Sequence, residues 1–260
     1  MNYPYYILVG LLGLMIGSFL NVLIYRIPNN EQFVKGRSFC PECKNKIRWY
    51  QNIPLLSYIF LRGRCAYCKK RIPIRYPLVE ALNAICYLYF FWQYGFTPEA
   101  GIFAFLSSAL IAIFFIDFDH QIIPDLITLP GMLIGLAVSF LPNGIGIVPS
   151  LIGLVVGGGS LYLIALLGDW LFKKESMGGG DIKMAAMLGA FLGWQKVLLV
   201  FMASAVIGLV ISVLIMIVSS KLRQTRTVPF GPFIALAAFM AIVWGDRIID
   251  FYVSHFLHLS

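Results

Sequence analysis

Two stretches of this sequence, Gly101 to Ile116 and Val197 to Ser219, contain no ionisable side chain, and several other long apolar runs flank them. A helix that crosses the hydrocarbon core of a bilayer needs about 20 predominantly apolar residues, and runs of this kind recur along the chain. Of its 260 residues 60% are hydrophobic and 12% charged, against about 25% charged in an ordinary soluble domain. No single water-soluble core could bury that much apolar surface, so the solvent for most of the chain is lipid. This excludes a soluble enzyme and a disordered chain. Five cysteines in 260 residues are too sparse for a small disulfide scaffold.

The apolar runs lie at Tyr5 to Tyr25, Leu78 to Tyr94, Gly101 to Ile116, Leu126 to Phe140, Ile145 to Phe172, Met184 to Trp194, Val197 to Ser219 and Phe230 to Trp244. They predict an all-α polytopic membrane protein of about eight transmembrane helices. Met184 to Trp194, at 11 residues, is short for a crossing, so it is either re-entrant or extended by Asp181 to Lys183. The first run has no basic residue before it and no small-residue cleavage site after it, which predicts an uncleaved span.

The net charge of +8 is concentrated: 12 of the 20 Lys and Arg residues fall between Arg26 and Arg75, a stretch holding only Glu31 and Glu42 as acids. The positive-inside rule makes that stretch cytoplasmic. Threading eight spans from it puts the amino terminus outside, in the periplasm or extracellular space. It then places Lys173, Lys174, Lys183, Lys221, Arg223 and Arg226 inside and only Lys196 and Arg247 outside, a tally of 18 to two. The predicted organisation is a first transmembrane helix over residues 1–27, a cytoplasmic loop domain over 28–76 and a larger transmembrane region over 77–260. Gly13 and Gly17, Gly131 and Gly135, and Gly189 and Gly193 form G-x-x-x-G pairs, and Gly157 to Gly159 sit together; all predict close helix packing.

Within the basic loop, Cys40-Pro41-Glu42-Cys43 and Cys65-Ala66-Tyr67-Cys68 are each followed by three residues and an isoleucine, and 21 residues separate them. Each C-x-x-C turn presents two thiolates on one side, so two turns complete a tetrahedral zinc site, and the neighbouring Lys and Arg residues favour the thiolates. Disulfides are the other use of this pattern, but a cytoplasmic loop is reducing, which favours metal. A segment of about 45 residues has too small a core to fold alone, so the zinc-knuckle loop predicts a structural ion at Cys40, Cys43, Cys65 and Cys68. Its basic charge fits an anionic lipid surface in the bilayer more directly than nucleic acid, and no nucleic acid is expected. Cys86, in an apolar run, reads as packing.

Only 12 acids exist, so each at a span boundary can be weighed. Asp117, Asp119 and Asp125 cluster after the third run, and Asp181 follows Gly178-Gly179-Gly180; the threading puts both segments on one membrane face. Carboxylates at the edge of a bilayer are costly and mark function. Asp125, after Pro124 and before an apolar run, reads better as a helix N-cap. Asp119 reads as a solvated helix end, and His120 as a solvent or headgroup contact. Asp181 is open to an N-cap as well as a chemical role, and Glu80 to pairing with Arg75 or to lining a polar cleft.

Gly178 to Asp181 resembles the G-x-G-D element of intramembrane aspartyl proteases. Gly17-Ser18-Phe19-Leu20-Asn21-Val22, the two C-x-x-C pairs, Arg75 to Glu80, Ile116 to Pro130 and Pro229-Phe230-Gly231-Pro232 resemble, in order, segments of the bacterial type IV prepilin peptidases. The ordered set is far more specific than a lone G-x-G-D. The resemblance selects Asp117, 64 residues before Asp181, rather than Asp119 or Asp125, as the partner in a catalytic aspartate dyad. It makes residues 77–260 an aspartyl protease domain.

The resemblance also implies the substrates: type IV prepilins and type II secretion pseudopilins, cut at the cytoplasmic face of the bacterial inner membrane. It implies S-adenosylmethionine as the donor for N-methylation of the new terminus. No strand, Gly-rich turn and helix marks a familiar nucleotide fold, and no cofactor-binding residue can be assigned from sequence. Two close carboxylates sharing one proton supply both the base and the acid of peptide hydrolysis. The helix dipoles predict Asp181, at an amino end, as the ionised base and Asp117, at a carboxyl end, as the acid. The alternative is a proton- or cation-coupled transporter using the same acids, although no inverted repeat is apparent.

Overall fold

The structure, a computed structural model, describes residues 3–32, 36, 38–174, 176–218 and 229–256. Lys35, Arg37, Lys221, Arg223 and Arg226, counted above among the cytoplasmic charges, lie outside the described residues. The described chain is almost wholly helical: α1 (Tyr3–Arg26), a 3-10 turn (Trp49–Gln51), α2 (Leu56–Phe60), α3 (Arg75–Tyr94), α4 (Pro98–His120), α5 (Asp125–Val138), α6 (Ile147–Phe172), α7 (Gly179–Val218) and α8 (Gly231–Phe256). Among the described residues the only β pairing is two isolated antiparallel bridges.

Among the described residues five helices, α1, α4, α6, α7 and α8, are long and apolar enough to cross a membrane. The eight apolar runs of the sequence fall on seven helices. α5, with 14 residues, is shorter than a full crossing requires. α3 carries Arg75, Glu80, Asn83 and Gln93 among its apolar residues. α7 takes up both Met184 to Trp194 and the run from Val197 as far as Val218, Ser219 lying outside the described residues; it is interrupted at Gly193, whose φ of 79° and ψ of 171° only glycine adopts readily. Val155, Leu163 and Leu167 on α6 and Met202, Val206 and Leu209 on α7 are exposed, as hydrocarbon-facing side chains should be.

The chain forms two compact units, Met1–Ala112 and Ile113–Ser260. In the first, α1 packs on α3 along Gly13 and Gly17. A Cβ on Gly13 would stand 2.7 Å from Ala84 Cα, and one on Gly17 the same distance from Glu80 Cα, so the G-x-x-x-G pair permits backbone approach, as predicted. Polar side chains reinforce the contact: Asn83 Nδ2 donates to Gly13 O at 2.8 Å, and Ser108 Oγ donates to Asn83 Oδ1 at 2.8 Å. Val9, Tyr87 and Ala104 form a small apolar core beside them. Cys86 is buried, in keeping with a packing role.

In the second unit α7 is the central helix, in contact with α5, α6 and α8. Met184 to Leu192 are all buried. Small residues allow this: Gly153 and Gly157 of α6 lie directly against the α7 backbone, Gly135 of α5 against Ala190, and Ser150 Oγ donates to Ala190 O at 2.6 Å. The short run that the sequence left as re-entrant or extended is thus the buried first half of α7, and it begins at Gly179.

Candidate active site

Asp117 lies in the last turn of α4, which ends where Gln121, at φ 56°, turns its N–H back to Asp117 O at 2.9 Å. Two residues along an α-helix rotate a side chain by about 200°, so Asp117 and Asp119 cannot share a face. Asp117 turns inward and is 5% exposed, while Asp119 and His120 are exposed. The Asp117 carboxylate accepts the backbone N–H of Gly231, the first residue of α8, at 3.0 Å between N and Oδ2.

Asp181 is the third residue of α7, and its own N–H donates to Gly178 O at 3.1 Å. It is therefore inside the first turn and is not the N-cap. Its Oδ1 is buried without a hydrogen-bond partner. An unpaired buried carboxyl oxygen is costly and is tolerated where chemistry needs a carboxyl group free of other partners. Gly180 lets this turn approach the segment after α4, since a Cβ there would stand 2.8 Å from Ile123 Cβ. The turn that carries Asp181 and the glycine that donates to Asp117 both border Ile123, since a Cβ on Gly231 would stand 3.0 Å from Ile123 Cδ1. One compact unit thus brings to the same residue two carboxylate-bearing turns that are 64 residues apart in sequence.

Asp125 corrects an expectation. It is the first residue of α5, whose N-cap is Pro124, and it makes no cap hydrogen bond; instead it pairs with Lys183 Nζ at 2.7 Å. Pro124 already fixes an extended φ and ψ before the helix, so no side-chain cap is needed to start it. Both partners are exposed, with 41% of the Lys183 and 53% of the Asp125 side chain accessible. Such a pair contributes at most about 1 kcal/mol. Asp125→Asn is therefore expected to keep most of whatever activity the wild-type protein shows in a substrate-cleavage assay, with a stability change below about 1 kcal/mol.

Gly231 was missed by the sequence reasoning, although it stood within the quoted Pro229 to Pro232 segment. The signal was there: a glycine between prolines at the start of a helix marks a close approach. A Cβ at Gly231 would stand 2.6 Å from Asp117 Oδ2. Glu80 lines a cavity in the first unit, and its Oε2 accepts the N–H of Leu55 at 2.9 Å.

In the first unit the two cysteine turns have one hydrogen-bond pattern. Lys44 N–H donates to Cys40 O at 2.8 Å and Lys69 N–H to Cys65 O at 3.1 Å, while Cys40 N–H donates to Asn45 O at 3.0 Å and Cys65 N–H to Lys70 O at 2.8 Å. Lys44 and Lys69 are left-handed, and the bridges Phe39–Lys46 and Arg64–Arg71 close the two turns equivalently. The sulfurs of Cys40, Cys43, Cys65 and Cys68 lie within 4.8 Å of one another, with Cys40 and Cys68 3.9 Å apart, and all are free thiols. Four sulfurs at about 2.3 Å from a central zinc stand about 3.8 Å apart, so this cluster has the dimensions of a tetrahedral metal site and not of disulfides.

Burial alone would raise the Cys65 thiol, but N–H groups of Cys68 and Tyr67 and the neighbouring thiols outweigh it and bring Cys65 down to about 7. Cys68 receives the Lys70 N–H, yet burial and the hydrogen bonds it shares with Cys65, Cys43 and Cys40 push it up to about 11. A Lys70–Glu42 ion pair links the two turns at the exposed surface.

Residues 11–94 match the bacterial peptidase A24 N-terminal domain, and residues 104–213 match the type IV leader peptidase family. The chain is 39% identical to a prepilin leader peptidase/N-methyltransferase of Pseudomonas putida, over 93% of this chain and 91% of that protein. It is 38% identical to one of Pseudomonas aeruginosa (94% and 92%) and 37% identical to one of Legionella pneumophila (98% of each). No solved structure gives a significant match. Nothing in these comparisons supports the transporter alternative. With both family segments in order and such identity along nearly its whole length, this chain belongs to the type IV leader peptidase family.

Proposed function

We propose that the chain is a bifunctional membrane enzyme: an aspartic endopeptidase that removes the short basic leader of type IV prepilins and type II secretion pseudopilins, and an N-methyltransferase acting on the new terminus. The observation that supports the peptidase half is the placing of Asp117 and Asp181 about Ile123, one carboxylate held by the Gly231 N–H and the other with a bare buried oxygen.

The local geometry reverses the roles that helix dipoles alone suggest. An N–H donor at the amino end of α8 stabilises negative charge on Asp117, whereas Asp181 Oδ1 has no donor. The pair shares one proton, and this proton resides on Asp181. Asp117 then takes a proton from water as the water oxygen attacks the scissile carbonyl carbon, and Asp181 gives its proton to the carbonyl oxygen. Collapse breaks the C–N bond, and the proton held on Asp117 passes to the leaving nitrogen. Gly179, where an added Cβ would meet nothing within 4 Å, leaves space for an extended substrate backbone beside Asp181.

In this reading the four cysteines hold a structural zinc ion that fixes the loop between α1 and α3, and S-adenosylmethionine supplies an electrophilic methyl group. The protein resides in the bacterial inner membrane with several passes, its amino terminus outside and the aspartate pair facing the cytoplasm. The excess of basic residues between Arg26 and Arg75 supports that orientation.

The test uses purified protein, a prepilin and S-adenosylmethionine in detergent. Wild-type protein releases the leader and adds one methyl to the remaining chain, and absence of leader release from a competent prepilin contradicts the proposal. A second expectation concerns Gly231. In Gly231→Ala the added methyl displaces the Asp117 carboxylate without unfolding α8, so cleavage falls roughly 10- to 100-fold, as for other misplacements near 1 Å. An unchanged rate in this variant contradicts the positioning by Gly231.

A further inference from the structure

The short helix α2 has its faces reversed relative to a helix on a water-exposed surface. Leu56, Ile59 and Phe60, at i, i+3 and i+4, share one face and point away from the protein, with Ile59 66% and Phe60 79% exposed. The polar residues Ser57 and Tyr58 point inward to the cavity of the first unit, where Tyr58 OH donates to Ile72 O at 3.4 Å. A surface helix in water does the opposite, turning its apolar stripe to the core and its polar residues outward. Just ahead of α2, Trp49 is 77% exposed, and Tyr50 and Ile53 are exposed as well.

The level at which α2 is held gives the reason. Ile74, Leu78, Leu82 and Ile85 form an exposed apolar stripe along α3 that begins at its N-cap, and on a helix packed against α1 such a stripe faces hydrocarbon. Glu80 lies six residues inside the start of that stripe, a depth of about 9 Å at the helical rise, and it packs against Gly17 of α1. Its Oε2 accepts the Leu55 N–H, which ties the amino end of α2 to the same level. The outward face of α2 therefore stands beside the ends of α1 and α3 at the depth of a leaflet.

Charge complements the apolar face. Between Glu42 and Glu80 there are nine Lys and Arg residues and no acid, and Arg48, Arg62 and Arg64 flank the apolar segment directly. Aromatic residues at headgroup level, apolar chains below them and basic residues around both are the composition of a segment lying in the interface of anionic lipid. A second copy of this chain would bring the same excess of positive charge to the contact, so lipid phosphate is the better complement. We infer that residues 49–60 form an interfacial anchor. Trp49, Leu56, Ile59 and Phe60 insert into the leaflet at the Arg26 end of α1, and the basic residues around them bind its anionic headgroups. The anchor holds the cysteine loop against the membrane face by a contact separate from the cysteine cluster.

The test uses the purified full-length protein in nanodiscs of equal parts phosphatidylglycerol and phosphatidylcholine. Trp49→p-benzoylphenylalanine and Phe60→p-benzoylphenylalanine are irradiated, and the intact mass is read for covalently captured lipid. Leu163→p-benzoylphenylalanine, on the exposed apolar side of α6, gives the yield in hydrocarbon, and Glu31→p-benzoylphenylalanine, exposed five residues beyond the end of α1, gives the yield in water. Capture at positions 49 and 60 is expected at least about tenfold above that at 31, with phosphatidylglycerol enriched over its share of the bilayer. Capture no higher than at position 31, or cross-links to a second copy in place of lipid, overturns the anchor. Adducts that follow the bulk lipid ratio overturn the anionic preference. Trypsin cleavage after Arg62 and Arg64 in the same nanodiscs is a second readout. The double variant Ile59→Glu, Phe60→Glu is expected to raise its rate about tenfold or more with zinc content unchanged, because charges at this depth expel the segment from the leaflet. An unchanged cleavage rate overturns the insertion.

Discussion

Stripping zinc from the purified protein with a strong chelator is expected to unfold the cysteine loop while the apolar helices persist. The loop between Ser38 and Ile72 holds itself by two equivalent turns and a few backbone hydrogen bonds, and Trp49, Ile59, Phe60 and Ile74 in and beside it are exposed. It has almost no core of its own. Structural zinc in small Cys-rich segments provides roughly 10 kcal/mol or more of folding free energy, far above what the surface Lys70–Glu42 pair can replace. Trypsin, which cuts after Lys and Arg, then gains access to Lys69, Lys70 and Arg71, and hydrogen exchange across the loop accelerates by orders of magnitude. Cys40→Ser, Cys43→Ser, Cys65→Ser and Cys68→Ser each give the same result, because three thiolates leave a tetrahedral site open. A zinc-free loop as protected as the loaded one contradicts the structural role.

The second large effect is at the aspartates. Asp117→Asn and Asp181→Asn are each expected to lower kcat for leader release by at least roughly 10³-fold, since each removes a proton-transfer group from a two-group mechanism. Both variants keep the shape of the side chain. Asn at 117 still accepts the Gly231 N–H through its carbonyl oxygen, and Asp181 caps nothing that Asn would lose, so both proteins retain wild-type helicity. The double variant is expected to be no slower than the slower single, because groups that act as one unit are not additive. Activity losses that multiply in the double variant contradict a shared-proton pair.

Much of this architecture was legible in the sequence. Absence of ionisable residues over long runs forced helices in lipid, and the G-x-x-x-G pairs did mark the approaches of α1 to α3 and of α5 to α7. The two C-x-x-C turns gave their cluster directly, because each motif encodes its own local geometry. The choice of Asp117 needed family resemblance, although helical rotation separates it from Asp119 once α4 is known to continue to His120. Other features depend on residues far apart in the chain. The Asp125–Lys183 pair, the Gly231 N–H on Asp117 and the Leu55 N–H on Glu80 span 58, 114 and 25 residues, and no periodicity reports such pairings. The reversed roles proposed for Asp117 and Asp181 have the same origin. A helix dipole is a property of one element, whereas the N–H that Asp117 accepts comes from another.

The most direct measurement is the intact mass of a prepilin after incubation with wild-type protein, Asp117→Asn, Asp181→Asn and Asp125→Asn in detergent. The account predicts loss of the leader mass with wild-type protein and with Asp125→Asn, and an unchanged prepilin with either of the other two. Leader loss at the wild-type rate in Asp117→Asn or Asp181→Asn contradicts it.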